Sequence, residues 1–377
     1  MSKLTDSSRP SPNSPQPRDF TAGYADDEAE SSSREESGEE LGFQAKIKSL
    51  LRDWDSKGRK DRYIAELINE VLRLRKDDSA ELDLKIITKA FKELRYANSV
   101  FASYRTTRKV SVFGSARTNP DEPEYKAALE FSRRLVEEGF MIITGAGPGI
   151  MAAGNEGAGE GESFGLRIQL PFEAGANEFI TGDDKLINFR YFFTRKLSFV
   201  KEADAIALFP GGFGTMDEGF ESMTLIQTGK AELFPIVMVD APGGSYWKSF
   251  YQFIKEHLLR LGLISDEDLN LFKVTDSVDE AVDEILQFYR VFHSYRYVGD
   301  DLYIRLNHGI SEEAIEKLND EHADILVKGS YRLGEPHAAE RTEPALLEMP
   351  RLICTPQRSH YGKLRKMIDA LNESETR

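Results

Sequence analysis

Short apolar segments alternate with amphipathic ones between residues 109 and 292, and this alternation constrains the fold more than any other feature of the sequence. The apolar runs have the length and composition of buried strands. Strands that alternate with helices form a parallel sheet joined by right-handed crossovers. We therefore predict an α/β fold, a Rossmann-like open parallel sheet with helices on both faces. The strands are predicted at 110–113, 141–144, 165–170, 205–209, 235–239 and 272–274, and the helices at 123–138, from 150 onward, at 189–203, from about 215 to 228, at 246–261 and at 278–292.

Composition divides the chain into four predicted regions. Residues 1–40 are rich in Ser, Pro, Asp and Glu, with few apolar side chains to offset the entropy of ordering, so we predict a disordered acidic tail. Residues 41–106 carry apolar residues at helical spacing and are predicted to be an N-terminal helical segment. Residues 107–294 hold the alternating pattern. Residues 295–377 are predicted to be a small α+β appendage, with strands at 303–306 and 352–355 and helices at 311–326, capped by Ser311, and at 361–371.

Charge and cysteine content exclude several classes of protein. The net charge is −15; residues 1–40 hold 10 acidic and 4 basic residues, hence −6, which leaves −9 for the remainder. An acidic chain is not expected to bind nucleic acid. No apolar run reaches the ~18–20 residues of a membrane helix, no signal-like apolar stretch opens the sequence, and Cys354 is the single cysteine. We expect a cytoplasmic protein without disulfides. The six histidines are scattered along the sequence, and this spacing argues against a metal site.

Three glycine-rich turns fall where predicted strands end, at Gly114, at residues 145–149 and at residues 211–214. Ligands of open parallel sheets bind outside these strand ends, and glycine lets a phosphate approach the backbone closely. Such turns also occur for structural reasons alone. The 145–149 turn has Gly-x-Gly-x-Gly spacing, and no acidic residue ends the next strand, which argues against a nicotinamide cofactor.

The most informative segment is Pro-Gly-Gly-Phe-Gly-Thr at residues 210–215, followed by Glu218. Thr215 starts a predicted helix, whose N-terminus favours an anion. Glu218, one turn into that helix, is either a charge that stabilises the helix N-terminus or a group that faces the ligand. Arg195 and Lys196, among aromatic residues on the preceding helix, are either a solvated face or the cationic partner of a phosphate.

These motifs together resemble those of the Lonely Guy family, in which Arg-Lys is followed by Pro-Gly-Gly-x-Gly-Thr-x-x-Glu. Arg195, Lys196 and residues 210–218 match that pattern in order. The Gly145–Met151 turn and the strand end at Gly114-Ser115 fit the same family, and residues 170–173 are similar to its longer bacterial branch. The resemblance covers about residues 108–290.

The resemblance implies a function. Understood members are cytokinin riboside 5′-monophosphate phosphoribohydrolases, which hydrolyse nucleoside 5′-monophosphates, AMP included, to the base and ribose 5-phosphate. Arg195 and Glu218 would then be the catalytic pair. The predicted substrate-binding residues are Lys196, Gly211, Gly212, Gly214, Thr215, Gly114, Ser115, Gly145, Gly147, Gly149 and Met151, with Glu173, Asn177 and Thr224 as weaker candidates.

Two other functions stay open at this point. One is a nucleotide-binding regulator or carrier without catalysis, which would not need both Arg195 and Glu218. The other is a lysine decarboxylase, the label that such proteins often carry, although no lysine stands out as a Schiff-base residue for pyridoxal phosphate. The expected enzyme uses no metal and no organic cofactor. The apolar helices of residues 42–105 and the resemblance both predict a homodimer or a larger homo-oligomer.

Overall fold

The computed structural model describes residue 49 and residues 59–74, 76–170, 175–340 and 346–375. The predicted acidic tail, residues 1–40, lies outside these residues, as does most of the predicted helical segment before residue 59. In the described part, contacts group residues 94 onward into one compact unit and residues up to Glu93 into a smaller one. The domain boundaries drawn from the sequence stay predictions. No helix of the described ranges is long and apolar enough to cross a membrane.

The described residues form a seven-stranded parallel sheet and a four-stranded antiparallel sheet, with helices between the strands. The helices are α1 (Arg59–Arg73), α2 (Glu81–Phe101), α3 (Pro123–Glu137), α4 (Ile150–Ala158), α5 (Phe192–Glu202), α6 (Phe213–Gln227), α7 (Tyr246–Phe253), α8 (Val278–Phe288), α9 (Glu312–Glu321) and α10 (Tyr361–Glu373). The strands are β1 (Lys109–Phe113), β2 (Met141–Thr144), β3 (Ser163–Ile168), β4 (Leu186–Phe189), β5 (Ala205–Leu208), β6 (Ile236–Val239), β7 (Lys273–Thr275), β8 (Phe292–Val298), β9 (Asp301–Leu306), β10 (Leu326–Gly334) and β11 (Arg351–Pro356).

The large sheet has the order β4-β3-β2-β1-β5-β6-β7, with every pairing parallel. Its central strands are buried on both faces, which explains their near-continuous apolar sequences. Along β5, Ile206 and Leu208 join one hydrophobic cluster and Ala205 and Ala207 join the other. Helices cover both faces, so the predicted Rossmann-like architecture is confirmed.

Several helix ends predicted from the sequence are wrong. The helix predicted from residue 189 begins at Phe192, because Leu186–Phe189 forms β4 at the edge of the sheet. The helix predicted to end at residue 292 ends at Phe288, and Phe292 begins β8. Phe288 and Phe292 are four residues apart, a spacing that suits a helix, but the following residues alternate in burial as a strand does.

The antiparallel sheet has the order β10-β11-β9-β8 and forms most of the appendage. The helix predicted at 311–326 is shorter, since α9 ends at Glu321 and β10 follows a short 3₁₀ turn; Ser311 accepts a hydrogen bond from the Ala314 amide, as its N-cap role requires. β10 was not predicted, because most of its side chains are exposed and give no apolar pattern.

Helix α10 joins the two sheets where the chain passes from α8 to β8. The Asn372 side-chain oxygen accepts hydrogen bonds from the amides of Val291 and Phe292, each at 2.9 Å, and its nitrogen donates to the Phe288 carbonyl at 2.6 Å. Buried Arg365, on the same helix, pairs with Glu284 of α8.

Candidate active site

A cavity of about 710 Å³ opens at the carboxyl ends of β1 and β5. β1 pairs with β2 on one side and with β5 on the other, so the connections leave the sheet in opposite directions at this point. Open α/β sheets bind their ligands at such a switch point. The two strand ends are joined by a 3.0 Å hydrogen bond from the Ser115 amide to the Pro210 carbonyl. The cavity is lined by Phe113, Gly114, Ser115, Ala116, Arg117, Gly145, Met151, Arg195, Gly211, Gly212, Phe213, Gly214, Thr215, Met216, Glu218 and Tyr246.

The turn after β5, residues 210–215, presents open backbone to this cavity. Gly212 is the N-cap of α6, and neither Gly212 nor Gly214 has another atom within 4 Å of where a Cβ would lie. Gly211 differs, because a Cβ there would come within 2.1 Å of the Thr215 hydroxyl oxygen. The amides of a helix's first turn lack intrahelical acceptors and attract anions. The turn can therefore hold a phosphate against backbone N–H groups.

Glu218 lies in α6 with its side chain at the cavity but shielded from solvent, since the residue is 4% exposed. Burial raises its pKa from the ordinary 4.5 to about 7, against the opposing effect of the Arg195 and Lys196 charges. The carboxyl group therefore titrates near neutrality, and shifts of this kind are common among the side chains of active sites. A solvated charge at a helix terminus would not have this environment.

Arg195 and Lys196 are adjacent on α5 but have different surroundings. The Arg195 guanidinium lines the cavity and lies over the rings of Phe192 and Phe199, at 5.4 and 5.5 Å.

The Lys196 ammonium group lies 2.9 Å from a carboxylate oxygen of Asp217 and 2.9 Å from one of Glu221. Burial lowers the pKa of Lys196, but these two partners outweigh that effect and raise it. Lys196 thus connects α5 to α6 through two ion pairs and adds positive charge near Glu218.

The second glycine turn, after β2, is filled by its own chain. A Cβ on Gly145 or Gly147 would come within 2.6 Å of the Met151 side chain. Gly149 has φ +68°, and a Cβ there would lie 2.2 Å from the Ser115 carbonyl oxygen. Asn177 holds the turn from outside: its side chain donates to the Gly147 carbonyl at 3.0 Å.

The predicted site residues therefore fall into several groups. Those that line the cavity together are Gly114, Ser115, Gly145, Met151, Arg195, Gly211, Gly212, Gly214, Thr215 and Glu218. Lys196 lies behind the cavity wall, and Gly147, Gly149 and Asn177 build the second turn. Thr224 is exposed and donates to the Phe220 carbonyl of its own helix. Glu173 lies outside the described residues.

Several lining residues were not predicted, among them Arg117, Phe213 and Tyr246. Tyr246 begins α7, which follows β6, and β6 lies next to β5 in the sheet. The strand alternation therefore contained a signal, because the loop after a neighbouring strand reaches the same edge of the sheet. None of the described lining residues is a lysine, and no group of three or more His, Cys, Asp or Glu in the described chain could hold a metal ion.

Comparison with known proteins bears on the identity of this domain. Residues 149–285 match a family described as "Possible lysine decarboxylase". A cytokinin riboside 5′-monophosphate phosphoribohydrolase of Arabidopsis thaliana is 28% identical over 150 residues, 39% of this chain and 68% of that protein. A probable enzyme of the same name from Oryza sativa subsp. japonica is 27% identical over 187 residues, 48% of this chain and 77% of that protein.

Solved structures that match have low similarity. A molybdenum cofactor binding protein from Rippkaea orientalis is 18% identical with a TM-score of 0.34, covering 47% of this chain and 94% of that one. DNA processing protein A from Helicobacter pylori is 12% identical with a TM-score of 0.34, covering 48% and 81%. The segment matched by the family includes Arg195 and residues 210–218. Together with the plant relatives, this match supports the resemblance to the Lonely Guy family that the motifs indicate.

Proposed function

We propose that this protein hydrolyses the N-glycosidic bond of nucleoside 5′-monophosphates, releasing the free base and ribose 5-phosphate. The observation that carries the proposal is a buried carboxyl group, Glu218, in the same cavity as the open glycine turn at the N-terminus of α6. The turn to which we assign the phosphate and a carboxyl group whose pKa is raised to about 7 thus lie on one helix, less than two turns apart. The names of the plant relatives agree with this reaction class.

The 5′-phosphate is assigned to the turn at residues 210–215. The helix dipole and the amides of the first turn of α6 attract negative charge. Gly212 and Gly214 leave the backbone accessible, because no side chain or neighbouring group occupies the space beside them. A nucleoside without the phosphate loses these interactions and should bind weakly.

The ribose is assigned to the neighbourhood of Glu218. When the bond between C1′ and the base nitrogen breaks, positive charge develops on the sugar, as in glycoside hydrolysis. The ionised Glu218 carboxylate stabilises that charge and orients a water molecule. The water oxygen bonds to C1′, one of its protons passes to the departing base, and the other stays on the new hydroxyl group. Arg195, also on the cavity wall, offsets negative charge on the leaving group or the phosphate.

The test is incubation with a panel of nucleoside monophosphates, with free base measured by chromatography. AMP should be turned over far faster than adenosine, because only AMP carries the phosphate that the turn binds. Equal turnover of the two would contradict the phosphate assignment. Tight binding of a monophosphate with no base released from any member of the panel would identify a carrier instead of an enzyme.

We also propose that the protein acts as a homo-oligomer. Large apolar side chains are exposed on several of the described helices, and exposed apolar patches are typical of protein–protein contact sites. On α5, Phe192, Phe193 and Leu197 are 52%, 54% and 45% exposed. Exposed apolar side chains on α1 and α2 include Tyr63, Leu67, Val71, Leu82, Ile87 and Phe91.

Light scattering at micromolar concentration should give at least twice the chain mass of 42.6 kDa, about 85 kDa. A mass that stays at that of the single chain would contradict the proposal.

A further inference from the structure

Tyr246 contacts the turn that is proposed to bind phosphate, although 31 residues separate it from the last residue of that turn, Thr215. It is the first residue of α7 and lines the cavity beside Gly211 and Gly212. Its phenolic hydroxyl donates a hydrogen bond to the Gly211 carbonyl at 2.5 Å. The contact joins the loop after β6 to the turn after β5.

This hydrogen bond fixes the direction of a backbone amide. In a trans peptide the C=O and the N–H point to opposite sides, and the described chain contains no cis peptide. A Gly211 carbonyl held toward Tyr246 therefore directs the Gly212 N–H the other way. Two consecutive glycines have no Cβ to restrict rotation of the peptide between them, so without a partner this peptide would sample several orientations.

Tyr246 is itself held by the loop that precedes it. Asp240, 2% exposed at the end of β6, accepts a hydrogen bond from the Trp247 amide at 3.0 Å, in the first turn of α7. The Trp247 side chain is fully buried and packs edge-on against the Tyr246 ring, with the centroids 4.9 Å apart. The hydroxyl is thus presented to Gly211 from a fixed helix start.

We propose that Tyr246 is a positioning residue, which orients the Gly211–Gly212 peptide so that the turn is prepared for the substrate's 5′-phosphate. The inference rests on the proposed function for its substrate and extends it to a residue that does not take part in bond breaking. Phosphate contacts are the same in the bound substrate and in the transition state. Loss of the hydroxyl should therefore raise KM and leave kcat nearly unchanged.

The test compares Tyr246→Phe with Tyr251→Phe. Tyr251 lies on the same helix outside the cavity, where its ring packs against Phe272, so the control removes the same atom from α7. With AMP as substrate, Tyr246→Phe should raise KM about 3- to 10-fold and change kcat less than about 2-fold, the effect of one neutral hydrogen bond. Tyr251→Phe should match the wild type in both.

A second readout does not depend on catalysis. Amide hydrogen exchange in the unliganded protein should be faster across residues 210–218 in Tyr246→Phe and unchanged in Tyr251→Phe. If the wild type hydrolyses no monophosphate, the proposed function fails. The role of Tyr246 is then tested by comparing amide exchange and the affinity for ribose 5-phosphate between Tyr246→Phe and the wild type. Unchanged exchange with unchanged KM or affinity would overturn the inference. A loss of kcat at constant KM would overturn it as well, because Tyr246 would then act in the chemistry.

Discussion

The two glycine-rich turns follow β2 and β5, the strands on either side of β1, and they have similar sequences. The space beside their glycines is filled in one turn and open in the other. In the turn after β5, Gly212 and Gly214 border open space. In the turn after β2, Gly145 and Gly147 make room for the Met151 side chain. The absence of a Cβ thus leaves open space in one turn and makes room for the chain's own thioether in the other. A glycine-rich turn is therefore informative about ligands only when it is known what fills the space beside it.

The largest effect is expected on catalysis at the helix that follows the open turn. Of the two turns, only this one leads into a helix with a buried carboxyl group at the cavity. Glu218→Gln should reduce kcat about 10²–10³-fold, the usual loss for one preorganised electrostatic group, with a smaller change in nucleotide affinity. Steady-state kinetics with AMP measures it. Glu137→Gln, which makes the same change at an exposed carboxylate of α3 outside the cavity lining, is the control and should stay within about threefold. Full activity in Glu218→Gln would remove the catalytic assignment.

Activity should depend on pH through the same group. The ionised form of Glu218 is the active one in our proposal, and its pKa is raised to about 7 by burial. kcat/KM should therefore rise about tenfold per pH unit below that value and level off above it. A decrease across the same range would assign Glu218 to proton donation.

Folding stability should respond to pH in the opposite sense. Because the folded pKa of Glu218 exceeds the ordinary 4.5, its contribution to stability is present below about pH 4.5 and is lost as the pH rises through about 7. Chemical unfolding measures this effect. Between pH 5 and pH 8.5, the free energy of unfolding of Glu218→Gln should increase by about 1–3 kcal/mol relative to that of the wild type. A constant difference between the two proteins would show that Glu218 is not buried as described.

Alanine at one glycine of each turn should separate binding from folding. At Gly212, φ −90° suits any residue and the space beside it is open. The free energy of unfolding of Gly212→Ala should therefore lie within about 0.5 kcal/mol of the wild-type value. Its KM should rise about tenfold, because the added methyl group blocks the phosphate. Gly149→Ala requires a strained φ and meets the Ser115 carbonyl, and should cost about 2–4 kcal/mol. Urea unfolding and AMP kinetics on both variants measure these effects. A destabilised Gly212→Ala with normal KM, or a stable Gly149→Ala with raised KM, would contradict the comparison of the two turns.

The smallest effect is expected at Thr224. Its side chain is exposed and bonds to its own helix at the Phe220 carbonyl, and it does not line the cavity. Thr224→Ala should keep kcat/KM for AMP within about twofold of the wild type. A loss of tenfold or more would show that the binding site extends beyond the cavity described here.

The sequence was sufficient for the parts of the fold that are governed by burial. The central strands are apolar on both faces and stand out from the helices between them. Strands β4 and β10 were missed for the converse reason: an edge strand or an exposed one gives no continuous apolar run.

The candidate site was predictable where one segment carries it, as at residues 210–218, and not where the chain returns from elsewhere. The strand alternation indicates that the loop after β6 reaches the same edge of the sheet as the turn after β5, but it does not show that Tyr246 contacts Gly211. The sequence also could not distinguish the filled turn from the open one, because Met151 occupies the space beside Gly145 only when α4 is folded.

The position of Asn372 has a consequence for how this protein unfolds. One side chain satisfies three backbone groups where α8 gives way to β8, from a helix about 80 residues farther along the chain. Detaching α10 leaves buried amides without acceptors in the segment that joins the two sheets, and such groups are costly to expose unpaired. We therefore expect the parallel and antiparallel sheets to unfold together in one transition, and the appendage not to unfold before the rest.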